Sequence, residues 1–275
     1  MKGYCFVGDI VQSTKGTSER QIEVAKLLDK SREALNNTFE ETFIIPLSIS
    51  AGDSIQGVFK SERAAFLYGR LLNKLFYPEQ VRFGIAYGSV LITSEDKDSN
   101  KTVGEGFVYA QRALANAKEG NLLYSLYGYN PKDDLYWILD QNAILKSKLS
   151  KTQREMDLVI ELLYPFGVEG VKSDFEKKAI LELIIYKRAS KLWEIHNMSN
   201  KYIDNVISNY SDFENKEVII NEHDKTTQYH GLGKQLVYLF GAKQQTISDK
   251  LERSRIKNIR IYDAVILSKL RGGIL

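Results

Sequence analysis

The chain has 275 residues, of which 43% are hydrophobic and 27% are charged, with a formal net charge of +3. This composition is typical of a soluble protein with one large or two ordinary domains, and it excludes a chain that is basic over its whole surface. A single cysteine, Cys5, excludes an internal disulfide and fits a reducing compartment. The sequence has no apolar run long enough to span a bilayer and does not begin as a secretory signal does. We therefore expect a cytoplasmic protein with no membrane partner.

The first half of the chain alternates between strand and helix patterns. A strand at 3–8 is followed by apolar residues at three- and four-residue steps over 18–42, which predict a helix. The other elements predicted here are strands at 43–51 and 54–59, a helix at 61–76, a hairpin formed by 81–88 and 90–92, a helix at about 105–118 and a strand at 121–127. This order is typical of the split βαβ, or ferredoxin-like, arrangement with additions.

The second half is predicted to be nearly all helical. The candidate helices are 140–149, 152–165, 173–187, 189–196, 200–210, 232–240, 244–252 and 259–270. The mixed-charge stretch 214–225 is compatible with a short strand or a wing-like hairpin. We therefore predict an α+β protein, with a ferredoxin-like domain at 1–139 and an all-α domain at 140–275 that carries a helix-turn-helix.

Two short segments each carry an apolar run that ends in an aspartate beside a glycine. Residues 4–14 contain Asp9, and residues 48–59 contain Asp53. A hard cation such as magnesium takes a few carboxylate oxygens, with phosphates completing its shell. On adjacent strand ends the two aspartates would supply such oxygens, and the helix start behind Asp9 would face the phosphates. The plain alternative is that Asp9 caps the next helix and Asp53 lies in a hairpin turn.

The last quarter of the chain contains a helix-turn-helix pattern at 234–251. Gly241 stands at the turn, Val237 four residues before it and Ile247 six residues after it. The second helix is predicted to present side chains that suit base-edge and phosphate contacts with DNA: Lys243, Gln244, Gln245, Thr246, Ser248, Lys250, Arg253 and Arg255. A weaker copy of the pattern covers 192–206. For both, the alternative is an ordinary helical hairpin with solvated polar faces.

Four short motifs follow one another in the first half of the chain. They are Asp9 to Thr14, Gly52-Asp53, Val81 to Gly88 and Gly104 to Leu114. In this order they resemble the class III nucleotidyl cyclases, and they resemble more closely the small bacterial SatD-type proteins. Those proteins look like a divergent cyclase domain followed by a helix-turn-helix. Because each motif is short, the resemblance depends on the order of all four.

The resemblance implies a role for each matching residue. Asp9 and Asp53 match two aspartates that bind magnesium or manganese, and the backbone carbonyl of Ile10 matches a further metal ligand. The triphosphate-binding loop is matched by Val11, Gln12, Ser13 and Thr14. Arg112 matches an arginine that stabilises the transition state, usually across a homodimer interface. In such a reaction a ribose hydroxyl attacks the α-phosphorus, and metal ions with an arginine neutralise the developing charge.

Several positions differ from the cyclase pattern. Gln12 stands where the loop normally has glycine, Val108 where an asparagine orients the ribose, and Ile49 where a lysine precedes the second aspartate. The aspartate that reads the base has no convincing counterpart, since Asp96 and Asp98 lie in a polar loop of uncertain register. The metal and triphosphate elements are therefore kept better than the nucleoside elements.

Three functions are compatible with these motifs. The first, which we prefer, is a transcription regulator that binds duplex DNA and whose cyclase-like domain binds a nucleoside triphosphate or related nucleotide with magnesium. The second is an active nucleotidyl cyclase that makes a cyclic mononucleotide from a nucleoside triphosphate. The third is a non-catalytic dimerisation and protein-interaction scaffold. The resemblance also leads us to expect a homodimer.

Overall fold

The structure is a computed structural model, and it describes residues 1–12, 16–50, 53–92, 99–130, 132–167, 169–171, 173–196, 203–209, 218–219 and 232–271. The strands in these ranges are β1 (Lys2–Ile10), β2 (Phe43–Ser50), β3 (Ser54–Phe59), β4 (Val81–Ser89), β5 (Leu91–Ile92), β6 (Thr102–Val103), β7 (Tyr124–Leu126), β8 (Phe166–Gly167) and β9 (Val218–Ile219). Five of them form one sheet in the order β2-β3-β1-β4-β7. Its strand pairs are antiparallel except β4 and β7, which are parallel.

Helices make up most of the rest of the described chain. They are α1 (Ser18–Thr38), α2 (Glu62–Phe76), α3 (Glu105–Glu119), α4 (Asp134–Ser147), α5 (Lys151–Leu163), α6 (Ser173–Ala189), α7 (Lys191–Ile195), α8 (Ile203–Asn209), α9 (Leu232–Phe240), α10 (Gln244–Ser254) and α11 (Ile256–Lys269). Among the described helices, none combines the length and the apolar character that crossing a membrane requires.

The two faces of the sheet are covered in different ways. On one face, α1 and α2 pack against a core rich in aromatic rings, in which Phe6 lies 5.2 Å from Phe83 and 5.8 Å from Tyr68 between ring centres. On the other face α3 lies close to β4, because Gly84 has no side chain. A Cβ added there would lie 2.3 Å from the backbone oxygen of Ala110. This contact sets the height of α3 above the sheet.

The helical second half packs onto the first through shared hydrophobic cores. The main core continues from the sheet into α4, α6 and α11, through residues such as Leu139, Ile180 and Ile266. A second core joins α5, α9 and α10. A mixed first half and a mostly helical remainder are therefore confirmed, while the boundary between residues 139 and 140 stays a prediction.

Three sequence predictions need correction or completion. The hairpin predicted for 81–92 is wrong, because β5 pairs with β6 in a separate two-stranded sheet and not with β4. The first helix of the second half begins at Asp134, before residue 140. Within 214–225 the described part is β9, which pairs in parallel with β8, so it is a short strand.

Candidate functional site

The two aspartates predicted to bind a metal lie at neighbouring strand ends. In the register of β1 and β3, Asp9 is directly opposite Ser54, and Asp53 immediately precedes that residue. The backbone N–H of Ile10 donates to the backbone oxygen of Asp53 at 3.2 Å. Two segments that lie far apart in the sequence, the end of β1 and the start of β3, therefore meet at this edge of the sheet. Both aspartates are only half-buried, so solvent reaches them.

A row of polar side chains crosses the same face of the sheet. Residues directly opposite each other in an antiparallel pair point to the same face. The register therefore places on the α3 side the group that we call the polar sheet face, which consists of Asp9, Ser48, Ser50, Ser54, Gln56 and Arg82. Ser54 Oγ donates to the backbone oxygen of Ser50 at 2.7 Å, and Gln56 Nε2 donates to that of Ser99 at 2.5 Å. All six members are half-buried, as expected for a surface that a ligand can reach.

Two cationic side chains flank Asp9. Lys118, in the last turn of α3, forms an ion pair with it, with 2.5 Å between Nζ and Oδ2. Arg82 is directly opposite Asp9 on β4, and its guanidinium donates to the backbone oxygen of Leu122 at 2.7 Å and to Asn121 Oδ1 at 3.1 Å. Burial lowers the pKa of Arg82, and the charge of Asp9 acts in the opposite direction. The face thus offers the carboxylate of Asp9 for a cation, beside two cationic side chains for an anion.

The predicted phosphate loop begins at Val11, whose N–H donates to the backbone oxygen of Gln80 at 2.9 Å. Gln12 follows with a φ of 61°, in the left-handed region that glycine adopts most easily. The cyclase loop normally has a glycine at this position, and the backbone of Gln12 adopts a conformation that favours glycine. Ser13 and Thr14 lie outside the described residues.

The predicted catalytic residue, Arg112, lies exposed on α3. Its guanidinium is 5.7 Å from the ring centre of Tyr109, which stacks on Tyr127 with 4.7 Å between ring centres. Arg112 precedes Lys118 by six residues, or about 9 Å along the helix axis. Within one chain the residue that pairs with Asp9 is therefore Lys118, and a role of Arg112 across a homodimer interface stays a prediction.

Sequence patterns did not predict three residues that lie at or beside the polar sheet face: Ser54, Arg82 and Lys118. Arg82 lies inside a quoted motif, but only the register of β1 and β4 shows that it faces Asp9. Lys118 lies in the last turn of a predicted helix. Lysine is common there because its charge interacts favourably with the helix dipole, so the sequence gives no sign of a contact with Asp9. That contact depends on how α3 crosses the sheet, which no local pattern encodes.

The segment predicted to bind DNA forms two helices, α9 and α10, joined at Gly241 with a φ of 56°. Leu236, Ile247 and Leu251 are buried between them and their neighbours. Of the predicted DNA-contacting residues, Lys243, Gln244, Gln245, Thr246, Ser248, Arg253 and Arg255 are exposed and Lys250 is half-buried. Asp249 accepts a hydrogen bond of 2.7 Å from Gln245, so this face carries acidic as well as basic groups. The turn of the weaker copy at 192–206 lies outside the described residues.

No group of three or more metal-ligating His, Cys, Asp or Glu side chains occurs among the residues that the structure describes. A cation at Asp9 and Asp53 would thus take its other ligands from backbone oxygens, water or a bound phosphate, as magnesium commonly does.

Fold and site together define a mixed α/β protein with a carboxylate-bearing polar sheet face and a largely helical remainder. The model of the SatD family matches residues 4–156, and the chain belongs to this family. No curated protein sequence matches it. Among solved structures, a bacterial light-regulated adenylyl cyclase aligns with 46% of this chain and 73% of its own, at 15% identity and a TM-score of 0.35. A superposition of that extent does not establish a shared fold.

Proposed function

We propose that the polar sheet face binds a nucleoside triphosphate, or a related nucleotide, together with magnesium or manganese. The observation that carries the proposal is the backbone contact that brings Asp53 beside the end of β1, where Asp9 lies: the N–H of Ile10 donates to the backbone oxygen of Asp53 at 3.2 Å. Two carboxylates from separate strands are a suitable partial shell for a hard cation whose remaining ligands are phosphate oxygens and water.

Lys118 and Arg82 complete the proposed site. A carboxylate that already has an ammonium group at 2.5 Å is in a cation-binding environment, and a metal would take the place of Lys118 beside Asp9. The released ammonium, with Arg82, would then balance the charge of the phosphates. The metal itself would neutralise phosphate charge when bound.

The strand arrangement supports the resemblance on which this proposal draws. We take the order β2-β3-β1-β4 with antiparallel neighbours, extended by the parallel edge strand β7, as support for the predicted ferredoxin-like arrangement. In the proposal, Arg112 acts on nucleotide held by a second copy of the chain, since its guanidinium lies against Tyr109 within one copy.

Binding is tested by titrating the full chain with each of the four nucleoside triphosphates in the presence of magnesium. We expect Asp9→Asn and Asp53→Asn to weaken binding at least about tenfold, or about 1.4 kcal/mol, because each removes the charge of a proposed metal ligand. Asp29→Asn, on the surface of α1, is the matched control and should bind as the wild type does. Equal affinities for all four proteins would refute the proposed site.

An active cyclase is the alternative for this site. Incubation with each nucleoside triphosphate and magnesium or manganese tests it directly, with cyclic mononucleotide as the measured product. If the wild type forms a cyclic product and neither Asp53→Ala nor Arg112→Ala does, the cyclase activity would be assigned to this site. Absence of cyclic product from all four substrates would leave a nucleotide-binding domain without this chemistry, or a scaffold if binding is also absent.

The second proposed function is DNA binding by α10. The observation that favours it is that seven of the eight predicted contact residues are exposed on one two-helix unit with a tight turn at Gly241. Phosphate contacts release counterions, so affinity for duplex DNA should fall steeply with salt. Arg253→Gln and Lys243→Gln should each reduce the slope by about one unit, while Lys26→Gln on α1 should leave it unchanged. A flat salt dependence in the wild type would rule this function out.

Coupling between the two proposed functions would make the protein a nucleotide-responsive regulator. If nucleotide alters DNA affinity, DNA must alter nucleotide affinity by the same factor. Both titrations should therefore be made in both orders with the full chain. No change in either affinity would reduce the protein to two independent binding units.

A further inference from the structure

A cluster of buried charged side chains joins α2 to α4, α5 and α11. Arg70 on α2 lies at its centre and donates to Glu161 at 2.5 Å and to Asp263 at 2.6 Å. Arg70 is 3% exposed, and both of its carboxylate partners are completely buried. The other members of this buried ion cluster are Lys74, Lys146, Asp157 and Arg260.

The cluster lines one side of a cavity of about 40 Å³ between the sheet and the helical second half. Among the described residues, four cationic side chains reach this cavity, Arg70, Lys74, Lys146 and Arg154, but only one carboxylate does, that of Asp157. Aromatic rings, two leucines and Asn73 form the rest of the wall. A water needs about 10–15 Å³ of such space, so the volume suits a small polyatomic ion and is too small for a nucleoside.

Positive charge is in excess around the cavity. The buried ion cluster together with Arg154 contains five cations and three carboxylates. Burial lowers the pKa of Lys74 to about 8, and the neighbouring charge of Arg70 adds to the effect although Asp157 opposes it. An anion in the cavity would relieve this excess.

Two polar atoms of residues that line the cavity lack a hydrogen-bond partner within the described chain. One is Nη1 of Arg70, a charged donor, and the other is Oδ1 of Asp157, an acceptor. A buried charged group without a partner is costly, so both atoms call for a ligand that accepts and donates. Hydrogen phosphate has several acceptor oxygens and one O–H, whereas sulfate near neutral pH has no proton to donate.

We propose that this cavity binds one inorganic phosphate ion, in its hydrogen phosphate form. The four cationic side chains donate to its oxygens, with Arg70 Nη1 as the innermost donor, and its hydroxyl donates to Oδ1 of Asp157. The site is separate from the polar sheet face, because its walls come from α2, α4 and α5 on the opposite side of the sheet from Lys118. Bound phosphate would stabilise the contact between the sheet and the helical second half.

Isothermal titration of the full chain with sodium phosphate, in chloride buffer of constant ionic strength, tests the proposal. We expect saturable binding of one phosphate and at least about tenfold weaker binding of sulfate, since sulfate would face Asp157 without a proton. Arg154→Gln, at the half-buried rim, should weaken phosphate binding by about tenfold or more. Lys148→Gln removes an exposed charge from the neighbouring connection and is the matched control.

Two further measurements make the outcome decisive. Asp9→Asn should bind phosphate as the wild type does, which separates this cavity from the proposed nucleotide site. A crystal grown with phosphate should show its density within hydrogen-bond distance of Arg70. The proposal is overturned by an absence of saturable phosphate binding, by sulfate that binds as tightly, by Arg154→Gln behaving like Lys148→Gln, or by density for water alone.

Discussion

At the scale of single residues, the pairing of Asp9 with Lys118 decides how the polar sheet face can act. The lysine side chain is 48% exposed and the aspartate side chain 24% exposed, so solvent screens their attraction and the pair is exchangeable. A strong buried pair would close the site to metal ions. In the proposed site, the ammonium group of Lys118 occupies the place beside Asp9 that a bound metal ion would take.

Removing Lys118 should therefore have opposite effects on metal and nucleotide. In Lys118→Met we expect Mn²⁺ without nucleotide to bind about two- to fivefold more tightly, because an exposed ion pair contributes roughly 0.5–1 kcal/mol. Triphosphate should bind more weakly, since a cation near its phosphates is lost. Electron paramagnetic resonance of free Mn²⁺ measures the first effect and calorimetry the second. Lys26→Met is the control, and a change of the same sign in both affinities would contradict the interpretation.

Gln12 is a second residue whose conformation can be tested. Its φ of 61° costs a non-glycine residue about 1–2 kcal/mol. A glycine would avoid this strain, but part of the gain would be lost because glycine makes the unfolded chain more flexible. We expect Gln12→Gly to raise the free energy of unfolding by about 0.5–1 kcal/mol in denaturant titrations. Gln21→Gly, within α1, should lower it by about 1 kcal/mol. A loss of stability in Gln12→Gly would show that the glutamine side chain makes a contact worth more than the strain.

At the scale of elements, the approach of α3 to β4 carries Lys118 to Asp9. Gly84 meets the backbone of α3 directly, at 2.3 Å from the oxygen of Ala110 and 2.5 Å from the nitrogen of Leu114 for an added Cβ. Gly88 is as close to Gly106 further along the same contact. Helix and strand therefore fit only because neither glycine carries a side chain.

Gly84→Ala should separate α3 from the sheet. Because backbone atoms cannot rotate away, we expect the free energy of unfolding to fall by about 2–3 kcal/mol, at the upper end of the usual cost of overpacking. Nucleotide affinity should fall as well, since Lys118 moves with α3. Gly120→Ala is the control, because there the nearest atoms belong to the flexible side chain of Leu122 at 3.3 Å. Equal stability of the two variants in denaturant titrations would contradict the packing argument.

At the scale of the whole molecule, the buried ion cluster connects α2, which packs on the sheet, to α4, α5 and α11 of the helical second half. Arg70 and Lys146 hold the pKa of Asp263 at about 2, below its ordinary value of 3.8, although burial by itself would raise it. A carboxylate with a lowered pKa in the folded state stabilises the fold above its ordinary pKa. That contribution disappears as the pH falls toward the folded-state value.

Stability should therefore decline in acid over a defined window. We expect Asp263 to account for a loss of about 2 kcal/mol in the free energy of unfolding between roughly pH 4 and pH 2. Asp263→Asn should be less stable at pH 7, because it leaves buried cations uncompensated, and should lose less on acidification. Asp29→Asn should follow the wild type. Denaturant titrations across this range measure both slopes, and parallel slopes for wild type and Asp263→Asn would contradict the assignment.

Much of the architecture was predictable from local pattern. Hydrophobic periodicity located α1, α2 and α3 and the strands that carry Asp9 and Asp53, because the spacing of apolar residues reports directly which face of an element is buried. The same periodicity predicted α9 and α10 around Gly241. Pattern failed at 90–92, where β5 pairs with β6, because periodicity identifies a strand but not its partner.

The sequence by itself determined the elements, the polar character of the two strand ends and the four ordered motifs. Only the tertiary structure decided that Lys118 and Arg82 flank Asp9, and that Arg70 meets Glu161 and Asp263, which are 91 and 193 positions away. The physical reason is that these contacts depend on strand register and on how closely helices approach the sheet. Strand register and helix–sheet distance are both set by packing of the whole chain, so they cannot be predicted from a local stretch of sequence.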